Sequence, residues 1–367
     1  MKKHVYADNA ATSQVSKSVI DAMIPYLYDQ YGNASQPYSF ARKPKNAIKE
    51  ARKMIADCIG AQPEEIFFTS GGSESNNWVI RGAIQQHLPI ITSPIEHNSV
   101  LRPSAVVGNT KYLDVDKDGI VHVSYLDKLF NNVKGLVSVM YANNEIGTIE
   151  PINQLVDYTH RAGWLFHTDA VQAIGHIPIN VQELGIDFLS ASAHKFNGPK
   201  GIGFLYKRKG VSWPALILGG SQEFGNRAGT ENVASVVGMA VALEENNRSI
   251  DSYIRYINNL EKNLLDLLLA AKISFKRNGS VKHIPGNISL SFPNKNGESI
   301  LHRLDLLGIS ISTGSACDSQ NTQISHVLKA IKLDEKYAKG TIRISLSHNN
   351  TQSDVEFIAD AIIKTVT

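Results

Sequence analysis

The chain has 367 residues, enough for one large core and a smaller second unit, because single hydrophobic cores stop growing at roughly 250–300 residues. Its 37 lysines and arginines exceed its 34 aspartates and glutamates by only three, with no basic block and no acidic tail, so nothing points to nucleic acid or a membrane surface as partner. Two cysteines, Cys58 and Cys317, exclude a disulfide framework, and the histidines lack zinc-ligand spacing, so no metal is expected.

The N-terminal stretch Met1-Lys2-Lys3-His4-Val5-Tyr6-Ala7-Asp8 lacks the apolar run of a secretory signal. The leucine-rich segment 264–271 is short and contains Asp266, so it does not span a bilayer. A cytoplasmic protein is expected. Between 45 and 59, Ala47, Ile48, Ala51, Met54, Ile55, Cys58 and Ile59 recur at spacings of three and four, which predicts a helix. Cys58 on that stripe reads as a small buried hydrophobe. From about residue 60 to 210, β-rich runs at 66–69, 90–92, 136–140, 165–168, 188–190 and 204–206 alternate with helical patterns such as 74–86 and 152–162. Near-continuous apolar strands separated by helices predict an α/β fold with a mostly parallel sheet covered on both faces. A long helical stretch covers 232–272. Beyond it, strand-like segments at 287–292, 309–312 and 342–346 alternate with helices at 298–307, 324–331 and 354–366, as in a smaller α+β unit. A boundary near residue 250 gives a large unit of 15–250 and a small unit of 1–14 with 251–367.

Four segments have the residue types for chemistry. In Thr69-Ser70-Gly71-Gly72-Ser73-Glu74 a strand runs through two glycines into a helix, whose free N–H groups suit a phosphate. It matches neither the GxGxxG nor the P-loop pattern, and an ordinary βα turn is the plainer reading. In His167-Thr168-Asp169-Ala170-Val171-Gln172 the carboxylate ends an apolar strand, where parallel sheets bind ligands. Asp169 there can pair with a cationic group such as a pyridinium nitrogen, or simply cap a helix. In Ser190-Ala191-Ser192-Ala193-His194-Lys195, continuing to Lys200-Gly201, a lysine follows a buried strand, and desolvation can prepare such an amine for Schiff-base chemistry. The residues alone do not choose between Lys195 and Lys200, and either can be a surface lysine. The small, polar stretch Ser312-Thr313-Gly314-Ser315-Ala316-Cys317-Asp318-Ser319-Gln320-Asn321 is expected to be a mobile loop, and Cys317 lies on no apolar stripe. It reads as a nucleophile or as an unreactive surface thiol. Outside these segments, His97 follows a predicted strand, and Arg343 interrupts an apolar strand, where it needs a partner: a substrate carboxylate or an ordinary ion pair.

As an ordered set, from Ala7-Asp8-Asn9-Ala10-Ala11-Thr12 to Arg343, these motifs resemble the cysteine desulfurases of the class V aminotransferases, with the fold-type I architecture of pyridoxal-phosphate enzymes. The resemblance implies conversion of L-cysteine to L-alanine with a persulfide formed for transfer to an acceptor protein. Lys195 then looks like the lysine that holds the cofactor, Lys200 is structural, and Asp169 looks like the partner of the pyridine nitrogen. Gln172 and Asn144, in Asn143-Asn144-Glu145-Ile146-Gly147, resemble the contacts of the phenolic oxygen, and His97 the imidazole stacked on the ring. Gly72, Ser73, Ser192 and His194 resemble the phosphate cradle. Thr230, in Arg227-Ala228-Gly229-Thr230-Glu231, looks like a hydroxyl given to the other subunit's phosphate, which implies a homodimer. Arg343, Asn33 and Asn144 resemble the substrate-binding residues, and Cys317 the persulfide-forming cysteine.

The segment from Ser312 to Ile324-Ser325-His326-Val327-Leu328 resembles the long-loop group of nitrogen-fixation and iron–sulfur housekeeping desulfurases. Three positions depart from the pattern. Ser73 stands for a usual threonine, Tyr38 for a frequent histidine, and Asp318 for a small neutral residue, where its charge opposes thiolate formation. The tail that docks an iron–sulfur scaffold in housekeeping members has no counterpart before Thr367, so that partner is not carried over. Selenocysteine cleavage, another pyridoxal-phosphate reaction on the same fold, and a non-catalytic interaction protein are the alternatives.

Overall fold

The computed structural model describes residues 3–106, 108, 110–130, 133–313 and 324–367. β1 (Val5–Tyr6) leads to α1 (Lys17–Leu27), which Ser16 caps by accepting from Val19 N–H. α2 (Arg42–Ile59) turns Ala47, Ile48, Ala51 and Ile55 inward and stops at Gly60, whose φ of 70° only glycine adopts without strain. Next come β2 (Ile66–Thr69), α3 (Gly72–Gln85), β3 (Ile90–Thr92), α4 (Asn98–Ala105), β4 (Thr110–Tyr112) and β5 (Leu136–Ser138). α5 (Ile152–Arg161), β6 (Leu165–Asp169), α6 (Val181–Leu184), β7 (Phe188–Ser192) and β8 (Gly203–Lys207) follow.

Seven of these strands form one sheet in the order β2-β8-β7-β6-β5-β3-β4. β8 runs antiparallel to β2 and β7, and the remaining neighbours are parallel. This is the mostly parallel α/β sheet expected from the apolar runs. Every residue of β2, β3, β5 and β7 is buried, as strands covered on both faces require. β3, β5, β6 and β7 therefore open their C-terminal ends toward one side, where such sheets place ligands.

α7 (Val233–Ala270) is a single helix of 38 residues. Its first half contributes Val236, Met239 and Leu243 to the core under the seven-stranded sheet, and its second half gives Ile257, Leu260 and Leu264 to a separate core. Residue 250 thus falls inside a continuous helix. β9 (Lys276–Asn278), β10 (Asn287–Ser291), α8 (Gly297–Leu306), β11 (Ile309–Ser310), α9 (His326–Ala330), α10 (Glu335–Ala338), β12 (Thr341–Ser345) and α11 (Gln352–Val366) complete the chain. β10 pairs antiparallel with both β12 and β9. β1 pairs parallel with β11, and Asp8 bridges to Ser345, so the first strand joins the last third of the molecule. Among the described residues no helix is long and apolar enough to cross a membrane.

Candidate functional site

Three sheet features converge on one cavity of about 310 Å³: the β6 end at Asp169, the β7 end at Ser192, and the Gly71-Gly72 turn into α3. Gly72, Ser73, His97, Asn144, Asp169, Gln172, Ser192, His194, Lys195 and Arg343 line it together, although they come from segments up to 271 residues apart (343 minus 72). The turn needs glycine. Gly71 has φ 149°, a Cβ on Gly72 would fall on Val171 Cγ2, and a Cβ on Gly203 would lie 2.7 Å from Gly71 Cα. No side chain caps α3, so its first-turn N–H groups face this corner beside Ser73 and Ser192.

Lys195 follows β7 in a short turn, and its Nζ donates to the carbonyls of Ala10 at 2.6 Å and Ala11 at 2.8 Å. Lys200, by contrast, is exposed, so the geometry separates the two lysines that composition leaves equivalent. Asp169 is buried. Its Oδ1 accepts from Val171 N–H at 3.0 Å and its Oδ2 from Asn76 Nδ2 at 2.6 Å. The Gln172 amide donates to Ala10 O at 3.0 Å. Arg343 is buried in the centre of β12. It donates to Asp8 Oδ1 at 2.7 Å and to the Asn144 carbonyl at 2.9 Å, while its Nε–H is buried without a partner among the described residues. A buried guanidinium N–H of this kind fits a carboxylate ligand.

Burial, with help from the cations of Lys195 and Lys200, holds the His194 imidazole down to about 4, so it lines the cradle as a neutral ring. Burial alone takes His167 to about 3, wedged between Ser138 Oγ at 2.8 Å and Ser190 Oγ at 3.0 Å, which makes it a sheet-interior residue. Burial likewise lifts Glu145 to about 7, against the opposing hydrogen bond from Ser325 and the charge of Arg343. Glu145 Oε2 accepts from Ser325 Oγ at 2.5 Å, and Ser312 exchanges backbone hydrogen bonds with Arg343. The described residues on either side of 314–323 are thus both fastened to the cavity wall. Cys317 and Asp318 lie outside the described residues.

Two expected site residues do not line this cavity. Thr230 is exposed, on the turn before α7. Asn33 is half-buried and accepts from Ser35 N–H at 3.0 Å, and Ser35 reaches Glu231 at 3.1 Å, so the Asn33 segment lies beside the Thr230 segment. Three contributors escaped the sequence reading: Asn76, Ser99 and Asp8. Asn76 follows Ser73 by three residues, hence on the same helix face, which is the signal that could have found it. Cys58 is half-buried against the main core, and burial, then Glu244 and Asp57, push its thiol up to about 12, which fits an inert residue.

The donor set fits pyridoxal phosphate. A glycine-lined helix start with adjacent hydroxyls suits the phosphate, a buried carboxylate suits the ring nitrogen, and a lysine amine within the same cavity suits the aldehyde.

Comparison with known proteins gives a consistent result. The family model described as "Aminotransferase class-V" matches residues 5–358. "Cysteine desulfurase IscS" of Dictyoglomus turgidum is 45% identical, with 99% of this chain and 94% of the relative covered. A solved structure titled "NIFS-LIKE PROTEIN" superposes with a TM-score of 0.93 at 36% identity, covering 99% of both chains. Another, titled "SspA in complex with cysteine", superposes with a TM-score of 0.83 at 34% identity, covering 95% of this chain and all (100%) of the other.

Proposed function

The chain belongs to the aminotransferase class-V family, and from that premise we propose that it is a pyridoxal-phosphate-dependent cysteine desulfurase whose site is the cavity around Lys195. The observation that carries this reading is the meeting of Lys195, Asp169, His97 and Arg343 in one cavity. When bound, the cofactor supplies an electron sink for the bond changes at the substrate's α- and β-carbons.

Each residue then has a task. Lys195 holds the cofactor and, once released, moves the α-proton. Asp169 keeps the ring nitrogen protonated, with its own charge fixed by Val171 N–H and Asn76. Gln172 and Asn144 orient the ring, His97 stacks on it, and Gly72, Ser73, Ser192 and His194 cradle the phosphate. Arg343, with Asn144, binds the carboxylate of L-cysteine, and Asn33, which does not line this chain's cavity, would do so only from the partner subunit. The Cys317 thiolate attacks the substrate sulfur: an S–S bond forms, the Cβ–S bond breaks, and its electron pair passes to carbon, leaving a persulfide and, after protonation, L-alanine. An acceptor protein then takes the outer sulfur by thiol exchange.

The active form is a homodimer located in the cytoplasm. Thr230, away from its own cavity, reaches the partner's phosphate. The segment before it, joined to it by Gly229 N–H donating to Gln222, supports this because it leaves Leu218 and Phe224 at 86% and 60% exposure. Two separate cores support the division into 15–250 and 1–14 with 251–367, with α7 as the shared strut.

The test is alanine release from cysteine by the cofactor-loaded protein. Lys195→Ala is expected to lose covalent cofactor attachment and turnover. Cys317→Ser is expected to bind cofactor and cysteine yet form no enzyme persulfide. Full desulfurase activity in Cys317→Ser overturns the nucleophile assignment.

A further inference from the structure

Asn76 and Ser99 line the cavity; the reaction just described uses Asn76 only as a donor to Asp169 and gives Ser99 no task. Asn76 is buried, and its Nδ2 donates to Asp169 Oδ2 at 2.6 Å and to Ser99 Oγ at 2.8 Å. An amide NH2 carries two protons, so both bonds form at once. The amide cannot be turned round without setting its carbonyl oxygen against the Asp169 carboxylate, an acceptor facing an acceptor. Its Oδ1 is left buried without a partner among the described residues, so the orientation is set by the two donor contacts.

Ser99 Oγ, having accepted from Asn76, has its own proton to give, and His97 Nδ1 lies 2.7 Å away. Nδ1 also accepts from Ser99 N–H at 3.1 Å, because His97 is the N-cap of α4. A proton on Nδ1 would face that N–H head on. Nδ1 is therefore an acceptor, and the imidazole proton resides on Nε2.

We propose that Asn76 and Ser99 are positioning residues that link the Asp169 carboxylate to His97 and fix His97 as the Nε2–H tautomer, so that it meets cofactor and substrate as a hydrogen-bond donor. The proposal rests on the site assignment above. The order of the relay is Asp169 accepting from Asn76, Asn76 donating to Ser99, and Ser99 donating to His97. One relay thereby ties the carboxylate under the ring nitrogen to the imidazole against the ring face.

The experiment is nitrogen NMR of the 15N-histidine holoenzyme, with the His97 signals identified by their loss in His97→Gln. In the wild type, Nδ1 is expected to show the unprotonated and Nε2 the protonated shift. Ser99→Ala should move the Nδ1 signal toward a less hydrogen-bonded value and lower kcat about tenfold, at the modest end of acid–base effects, with the KM for cysteine changed less than about twofold. Ser99→Thr, which restores the hydroxyl, should recover both readouts. Asn76→Ala combined with Ser99→Ala should be no worse than the weaker single variant, as members of one relay behave. A protonated Nδ1 in the wild type, an unmoved Nδ1 signal in Ser99→Ala, or additive losses in the double variant overturns the proposal. Failure of the wild type to release alanine would sink the desulfurase reading instead and leave the tautomer measurement standing.

Discussion

Arg343 is held on two sides and open on the third. Asp8 and the Asn144 carbonyl fix the guanidinium plane, and the buried Nε–H waits for an acceptor. Lysine at this position could keep the charge but not the planar fork. Arg343→Lys is expected to raise the KM for cysteine by about 10–100-fold, the cost of one or two charge-assisted hydrogen bonds, with a smaller effect on kcat. Steady-state kinetics on the holoenzyme checks this, and an unchanged KM removes Arg343 from substrate binding. The sequence disclosed Arg343 because a charge in an apolar strand is conspicuous. Asp8 carries no such signal, since nothing local says that residue 8 will meet residue 343. Lys195 and Lys200 were equivalent for the same reason. What separates them is the pair of carbonyls at Ala10 and Ala11, roughly 185 positions earlier in the chain.

The elements that build the cavity are constrained where they touch. β8 passes so close to the Gly71 turn that a Cβ at Gly203 would fall on Ala191 O and lie 2.7 Å from Gly71 Cα. Gly203→Ala is expected to destabilise the fold by about 1–3 kcal/mol through overpacking, and to weaken cofactor retention by shifting the phosphate turn. Thermal unfolding with and without added cofactor separates the two effects. Glu96 ties the segment after β3 to the segment after β5: its Oε1 accepts from Ser93 Oγ at 2.6 Å and Met140 N–H at 2.9 Å. Burial lifts its carboxyl from the ordinary 4.5 to about 8, so between these values the folded chain holds a proton that the unfolded chain has lost. Its contribution to stability is full below about 4.5 and disappears as pH rises through about 8. Melting temperature should therefore decline between pH 5 and 8, and Glu96→Gln should flatten that decline. An equally steep decline in the variant assigns the effect to other groups. The strands were legible because their apolar runs are short and uninterrupted. Their polar ends were not: β6 and β7 continue through Asp169 and Ser192, the residues that matter. α1 escaped the reading because its inward stripe of Val19, Met23 and Tyr26 is interleaved with the equally apolar but exposed Ile20, Ile24 and Leu27, so the pattern singles out no one face.

At the scale of the molecule, two cores meet along α7, and the cavity is lined both by the ends of the large sheet and by Arg343 of β12. The α/β character and the smaller second unit could be read from the alternation of patterns. The return of β1 to β11 could not, because a two-residue strand carries no periodicity. Thr230 and Asn33 are named by resemblance and lie outside this chain's cavity; the proposed homodimer would give Thr230 a phosphate to serve. If Thr230 serves the partner's phosphate, Thr230→Val should lower cofactor affinity in the homodimer. Mixing it with Lys195→Ala should yield heterodimers with one intact site, recovering up to about half of the wild-type activity per mixed dimer. The variant chains must exchange subunits, as scattering and native mass spectrometry can verify. No recovery in verified mixed dimers places the Thr230 hydroxyl in its own subunit's service.

The pairing of the chain's beginning with its end also has a temporal meaning. Val5 and Tyr6 wait for Ile309 and Ser310, and Asp8 waits for Arg343 and Ser345. At translation rates of about 5–20 residues per second, that wait lasts roughly 20–70 s. Over the same interval the strands of the large sheet and the Lys195 turn have already emerged. The wall formed by Ala10 and Ala11 is thus hung last, on a scaffold already made, and a nascent or truncated chain carries the lysine without the enclosure that would put it to use.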